Sequence, residues 1–302
     1  MSSRPEYPEA EDDHSVAGRT RTADSASLAP GLYLVATPIG NLRDISLRAL
    51  DVLGQAALIA CEDTRVTGKL LKAHGISTRM TAYHDHNSAA AGPRLLEAAR
   101  TSAVALVSDA GTPLISDPGY QLVQQAWAEN IPVTTIPGAS SVMAALTLAA
   151  QPTDRFLFAG FLPAKKSARQ KTIAELAPIP ATLVLFETPQ RIEEAVQDLF
   201  DGLGNRPATL LRELTKFYEE ARRGTLHEVL AGIRDNPPRG EIVLVIGPPL
   251  VAAKATDADI DTLLQDALTR LSLKDAVAEI AAMTDAPKRN VYARALAVSK
   301  TA

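Results

Sequence analysis

The sequence predicts an α/β protein, built from two successive sets of strands and helices and ending in a small all-helical appendage. Three observations carry this reading. Short aliphatic runs recur along the chain, from Leu32-Tyr33-Leu34-Val35-Ala36 to residues 241–246. Helix-length stretches separate most of them, which implies crossover connections and a mostly parallel sheet covered on both faces. From residue 257 onward only helical patterning remains.

Taken in order, strands are expected at 32–36, 57–61, 103–107 and 133–136, with helices at 46–54, 64–74, 88–101 and 118–129 between and after them. A helix at 139–149 closes the first unit, and Gln151-Pro152-Thr153-Asp154 reads as a linker. A second alternating set follows: strand 156–160, helix 167–177, strand 182–186, helix 190–202, and strands 208–212 and 241–246. Asn236-Pro237-Pro238-Arg239-Gly240 is a strong break before the last strand. Helices near 259–270, 273–283 and 287–297 complete the chain. The expected domains are therefore 31–152, 153–250 and 251–302. Residues 1–30 read as a disordered acidic tail, because six acids face three arginines and no hydrophobic period can offset chain entropy.

Of the 302 residues, 46% are hydrophobic and 22% charged, an ordinary balance for a globular protein. The net charge of −4 resides mostly in the first 30 residues, so a nearly neutral body leaves local basic patches and nucleic-acid binding open. No apolar run approaches the ~20 residues needed to span a bilayer. With no basic-then-apolar leader at the N-terminus, a cytoplasmic address and no membrane partner are expected. A single cysteine, Cys61, excludes an internal disulfide framework and a cysteine-rich zinc site. His84-Asp85-His86 reads as a solvated loop, and no metal is expected.

The densest motif is Ser108-Asp109-Ala110-Gly111-Thr112-Pro113-Leu114-Ile115-Ser116-Asp117-Pro118-Gly119, at the carboxyl end of the strand 103–107. Ligands of open parallel sheets sit at that edge. Gly111 permits backbone angles denied to other residues. Asp117-Pro118 is an N-cap and first-turn pair, which starts the next helix there. A second strand-to-helix loop, Pro137-Gly138-Ala139-Ser140-Ser141, offers free helix-start N–H groups, or is an ordinary turn. The loop Thr37-Pro38-Ile39-Gly40-Asn41-Leu42-Arg43-Asp44 follows the first strand. Neither a Gly-x-Gly-x-x-Gly word nor a phosphate-binding Gly-x-x-x-x-Gly-Lys word occurs, so dinucleotide and nucleoside triphosphate readings lose support. Polar clusters close three further strands: Glu62-Asp63-Thr64-Arg65, Glu187-Thr188-Pro189-Gln190-Arg191 and Arg212-Glu213-Leu214-Thr215-Lys216.

These words, in this order, resemble the ribosomal RNA small subunit methyltransferase I family of the tetrapyrrole methylases, from about residue 31 to residue 297. The resemblance implies two α/β domains of the tetrapyrrole methylase type with a cofactor cleft between them, followed by an appendage of helix-turn-helix type. It implies S-adenosylmethionine as cofactor, 2'-O-methylation of a cytidine in the decoding region of 16S rRNA within the small ribosomal subunit, and a homodimer. Carried over by position, the cofactor residues are Pro38, Ser108, Asp109, Ala110, Gly111, Thr112, Pro113, Ile115, Ser116, Ser140 and Ser141. Phe186, Leu211, Arg212 and Gly240 add the second-domain wall.

Removing a ribose hydroxyl proton calls for an acceptor, for which Glu62, Asp63 and Glu187 are the candidates. Arg65, Arg212 or Lys216 is expected to steady the oxyanion or a neighbouring phosphate. Lys165, Lys166, Arg169 and Lys171 put four positive charges into seven residues, suited to RNA phosphates or to a solvated helix start. Lys288, Arg289 and Arg294 give the appendage a second grip. A small-molecule tetrapyrrole methylase and a non-catalytic RNA-binding module are the competing readings.

Overall fold

The structure, a computed structural model, describes residues 27–249, 257–284 and 286–301. The acidic tail expected at 1–30 lies outside the described residues, except 27–30, where Leu28 packs against the first core. The expected boundary at 250–251 also lies outside them. Two compact units divide at Ser140/Ser141.

The first unit holds five strands: β1 (Gly31–Val35), β2 (Leu58–Cys61), β3 (Met80–Ala82), β4 (Ala103–Val107) and β5 (Val133–Ile136). Their order is β3-β2-β4-β1-β5, and every pairing is parallel. The helices α1 (Leu47–Gln55), α2 (Thr64–Ala73), α3 (Ser88–Thr101) and α4 (Tyr120–Ala128) provide the crossovers and cover. All five residues of β4 are buried, and they serve the two faces alternately. Ala103, Ala105 and Val107 pack with Val35, Leu53 and Ile59; Val104 and Leu106 pack with Leu96 and Leu122 on the other side. Because β4 separates β1 from β2, strand order reverses beside β1 and β4, the position where open sheets bind ligands.

One local expectation fails here. Helix α4 starts at Tyr120, with Gly119 as its N-cap at φ 131° and no side-chain cap. Asp117 bonds with the Ser108 side chain instead. Leu114 and Ser116, at φ 74° and 65°, keep the chain in an open loop too long for a helix to begin at Pro118.

Helix α5 (Ser141–Ala149) opens the second unit rather than closing the first. It packs on three strands of the second sheet, and Thr209 Oγ1 donates to Ala149 O at 3.1 Å. That sheet contains β6 (Phe156–Phe161), β7 (Thr182–Glu187), β8 (Pro207–Arg212), β9 (Glu220–Thr225) and β10 (Ile242–Ile246), in the order β6-β7-β10-β8-β9. Helices α6 (Lys166–Leu176), α7 (Ile192–Leu203) and α8 (Leu226–Asp235) pack with it. Only β6–β7 is parallel; the other three pairings are antiparallel. The alternating reading breaks because β8 and β9 are joined by a short loop, which permits only an antiparallel pair.

In the appendage, α9 (Asp257–Arg270), α10 (Leu273–Thr284) and α11 (Lys288–Thr301) each touch the other two. Ile260, Leu264, Val277, Ile280 and Val291 form their shared core.

Candidate functional site

At the carboxyl edge of the first sheet the loops are bonded to one another. Thr37 and Gly111 exchange backbone hydrogen bonds of 2.8 and 3.0 Å, and Thr37 Oγ1 donates to Ser108 O at 3.2 Å. Thr112 Oγ1 donates to Ala139 O at 3.1 Å, and Asp63 N donates to Asp109 Oδ1 at 3.0 Å. The loops after β1, β2, β4 and β5 thus form one cradle, which brings together most residues expected around a cofactor. Pro38, Ser108, Gly111 and Pro113 are buried in it. Asp109, Thr112, Ser140 and Ser141 are half-buried, while Ala110, Ile115 and Ser116 are exposed.

Gly111 sits at φ 77°, where a Cβ would lie 3.3 Å from Ile39 Cγ2. A side chain there is disfavoured twice, by backbone and by space. Leu114 and Ser116 hold left-handed angles without being glycine, a local strain of the kind that gathers at functional loops.

The acids of this edge differ sharply in state. Asp63 caps α2, accepts from Arg65 N at 2.7 Å and pairs with the Arg65 guanidinium at 2.6 Å. These bonds hold its carboxyl down at about 2, which makes it a poor proton acceptor near neutrality. Arg65 is committed to that same pair, although its side chain is 86% exposed. Glu62 is half-buried and makes no hydrogen bond or ion pair among the described residues. Burial pushes its carboxyl up, helped by the charges of Asp109, Asp117 and Asp85. Asp117 is raised too, by burial first, although a Ser108 hydrogen bond opposes it. His84 and His86 flank Asp85 in a turn, and among the described residues no group of three or more histidine, cysteine or acidic side chains is placed to hold a metal.

The second sheet gathers the other expected residues at one edge. Phe186 and Leu211 both pair with Val243, and Gly240 and Arg212 stand beside the same strand start. A Cβ on Gly240 would come within 2.2 Å of Glu213 Oε1, which accepts from Glu241 N and from Lys216 Nζ. Lys216 also pairs with Glu241 at 2.9 Å, so its charge is neutralised locally. Arg212 Nε donates to Glu220 at 2.6 Å.

Glu187 is corrected as a proton acceptor. Its side chain is fully buried, accepting from Thr188 N and Arg191 Nη2, each at 2.9 Å. Burial raises its carboxyl, but a group with no exposed surface and two donors already in place serves the fold.

One cation expected to hold RNA, Arg169, is also corrected, and a second, Arg294, is partly exposed and engaged within the appendage. Arg169 is 2% exposed, with Nε donating to Asp198 at 2.7 Å, Nη1 to Ala164 O at 3.1 Å and Nη2 to Glu194 at 3.3 Å. It joins α6 to α7, and its charge is already matched. Arg294 pairs with both Asp257 and Asp261, which ties α11 to α9. Lys165, Lys166, Lys171, Lys288 and Arg289 remain exposed.

Sequence reasoning missed the β8–β9 hairpin and its groups: Glu220, Arg222, and the exposed rings of Phe217 and Tyr218, whose centroids are 5.0 Å apart. Their one legible signal is composition, since Lys216-Phe217-Tyr218 interleaves charge with aromatic rings as RNA-contacting loops do. Arg239 was seen only as part of a chain break. No helix among the described residues is long and apolar enough to cross a membrane.

Comparison with known proteins agrees with this architecture. Residues 31–230 match the family of Tetrapyrrole (Corrin/Porphyrin) Methylases, and residues 254–299 match the RsmI C-terminal HTH domain. The chain is 49% identical over 278 residues to Ribosomal RNA small subunit methyltransferase I of Mesorhizobium japonicum, covering 91% of this chain and 94% of the relative. It is 50% identical over 269 residues to the protein of that name from Erythrobacter litoralis, covering 89% and 95%. Among solved structures it is similar to a cobalt precorrin-4 methyltransferase, with a TM-score of 0.55, 18% identity and coverage of 72% and 94%. A uroporphyrin-III C-methyltransferase from Thermus thermophilus, complexed with S-adenosyl homocysteine, gives a TM-score of 0.52 at 21% identity, covering 72% and 97%. These distant structures establish the fold alone. With two relatives near half identity along almost their whole length, the chain belongs to the ribosomal RNA small subunit methyltransferase I family of the tetrapyrrole methylases.

Proposed function

We propose that this protein transfers a methyl group from S-adenosylmethionine to the 2'-hydroxyl of a cytidine in the decoding region of 16S rRNA. The observation that carries this reading is the bonded cradle at the switch point of the first sheet, within a chain of this family. The cytidine, its 2'-hydroxyl and the decoding region follow from the family resemblance.

The residues present fit the cofactor. Gly111, at a left-handed φ of 77°, lets the loop take its tight path against Ile39, and the half-buried Glu62, without an ion pair among the described residues, supplies negative charge complementary to a sulfonium. Bound there, S-adenosylmethionine supplies an electrophilic methyl on a good leaving group. The residues of the chain do the rest. The loops of Pro38, Ser108–Ser116 and Ser140–Ser141 hold and orient. Glu62 accepts the hydroxyl proton, since burial raises its carboxyl and makes it a better proton acceptor than an ordinary one. Lys165, Lys166 and Lys171, with Lys288 and Arg289 of the appendage, neutralise RNA phosphates, and Phe217 and Tyr218 offer faces for unstacked bases. The reading sets the protein among ribosomes in the cytoplasm, acting as a homodimer.

The test is transfer of labelled methyl from S-adenosylmethionine to small ribosomal subunits, to naked 16S rRNA and to a uroporphyrin. Label in a ribose-methylated cytidine of the decoding region is expected. Label in the tetrapyrrole alone, or in a base, overturns the proposal.

A further inference from the structure

The edge of the second sheet holds a cavity of about 470 Å3, which shares Arg212 with the expected cofactor wall but is otherwise lined by residues given no part in methyl transfer. Arg212, Arg222, Arg239, Gln190 and the Pro237-Pro238 pair line it. Its volume lies within the roughly 300–1,000 Å3 usual for small-ligand sites. We propose that this cavity is a phosphate-binding subsite for the RNA strand, with Arg239 as its free cation and Arg212 and Arg222 as its fixed ones.

Charge is the first argument. Glu220 is the carboxylate bonded to the lining arginines, and it serves two of them. Arg212 Nε donates to its Oε2, and Arg222 donates to it from Nε at 2.9 Å and from Nη2 at 3.2 Å. Those bonds, Arg222 first, hold the Glu220 carboxyl down, so it stays ionised and is already saturated. Arg239 is exposed and makes no ion pair among the described residues. Three guanidiniums share that one bonded carboxylate, and although Glu213 answers part of the Arg212 charge through space, positive charge is left for a ligand to answer.

Geometry is the second. Arg222 Nη1 donates to Gly232 O at 3.2 Å and to Asn236 O at 2.6 Å, which fixes its planar head. Only Nε of Arg212 is engaged among the described residues, leaving its two Nη groups for an acceptor. Planar forks of this kind match phosphate oxygens. Pro237 and Pro238 stiffen the wall, so little order has to be gained on binding. Backbone strain marks the neighbouring loop, where Glu213 and Thr215 adopt φ of 51° and 65°. The buried Arg169 makes the contrast: its charge is spent on Asp198 and Glu194, whereas Arg239 has no ion pair among the described residues.

This inference rests on the RNA-methylation reading, and its test separates the two. Binding of small ribosomal subunits and of a labelled single-stranded RNA is measured against salt for wild type, Arg239→Gln, Arg239→Lys and the control Arg234→Gln. Arg234 is exposed but pairs with Glu193 and does not line the cavity. For Arg239→Gln, the slope of log K against log salt is expected to fall by roughly 0.7–0.9, one phosphate contact. Arg239→Lys is expected to keep the slope, Arg234→Gln to leave it unchanged, and the affinity for S-adenosylmethionine to be the same in all four. An unchanged slope in Arg239→Gln, an equal fall in Arg234→Gln, or weakened cofactor binding in place of weakened RNA binding overturns the subsite. Failure of the wild type itself to methylate RNA overturns the underlying reading instead.

Discussion

The ligand edges of the two sheets carry opposite charge problems. Beside the first sheet, Glu62 and Asp117 are carboxyls raised by burial, crowded by Asp109 and without an ion pair among the described residues. Beside the second, arginines outnumber the acid that joins them. Both edges carry non-glycine residues at left-handed angles, Leu114 and Ser116 on one and Glu213 and Thr215 on the other. A fold selected for stability alone would pair these charges and relax these angles. The difference matches the division of work proposed above, in which the acid groups meet a cation and a proton and the arginines meet phosphate.

The largest expected effect comes from breaking the acidic side. Glu62→Gln is expected to lower turnover by about 10²–10⁴-fold, the usual worth of a positioned base, while S-adenosylmethionine and RNA still bind. The wild-type rate should fall as pH drops, with a midpoint above the ordinary value of a glutamate, because the acting form of Glu62 is ionised and burial raises its carboxyl. Linkage gives a second, opposite sign. A raised folded-state carboxyl makes the native protein bind more protons than the unfolded chain between the two pKa values, so Glu62 lowers stability as pH rises through that window. Glu62→Gln should therefore melt higher than wild type at neutral pH. Asp63→Asn keeps a good N-cap and should leave the acid limb of the pH profile where it was, since Asp63 titrates at about 2. If Asp63→Asn removes that limb and Glu62→Gln does not, the assignment of roles is reversed.

How far this contrast could be read in advance depended on burial. The central strands of the first sheet are apolar runs because both faces are covered, and β4 matches its expected bounds, residues 103–107. The cradle was legible for the same reason: glycine, proline and aspartate crowd the end of a strand already found. Strand β9, Glu-Ala-Arg-Arg-Gly-Thr, was not, because it is a half-exposed sheet edge with no apolar face to announce it. Helix α8 did leave a signal. Leu226, Val229, Leu230 and Ile233 keep helical spacing behind a Thr225–Glu228 capping box, and passing over them hid the whole hairpin with its arginines. The reading of Arg169 failed differently, since its partner Asp198 lies 29 residues away and no local pattern reports that pairing.

Arg169 also supplies the next prediction. Arg169→Ala leaves Asp198 buried with, among the described residues, only Gln170 at 3.1 Å and Lys166 at 4.0 Å, so a loss of roughly 3–5 kcal/mol is expected in denaturant unfolding. The salt dependence of RNA binding by the folded fraction should not change. A reduced slope with stability intact would mean that a matched arginine behaves like the unmatched ones, and the contrast between the edges would lose its basis.

The smallest effects test the strain itself. Ser116 and Thr215 are the mildest side chains to remove, one from each edge, and glycine accepts φ of 65° at no steric cost. Relieving a left-handed angle contributes on the order of 1–2 kcal/mol, against about 0.5–1 kcal/mol for the added freedom of the unfolded chain. Ser116→Gly should therefore gain a few tenths of a kcal/mol. Thr215→Gly should gain more, because Thr215 is β-branched and its buried Oγ1 has no hydrogen-bond partner among the described residues, a desolvation cost that the substitution deletes. Thermal unfolding of the two variants, paired with methyl transfer, checks both halves of the argument: a gain in stability with a loss in rate is expected at each site. If both gain stability and neither loses rate, the strained angles are accidents of chain path, and only the charges distinguish the two edges.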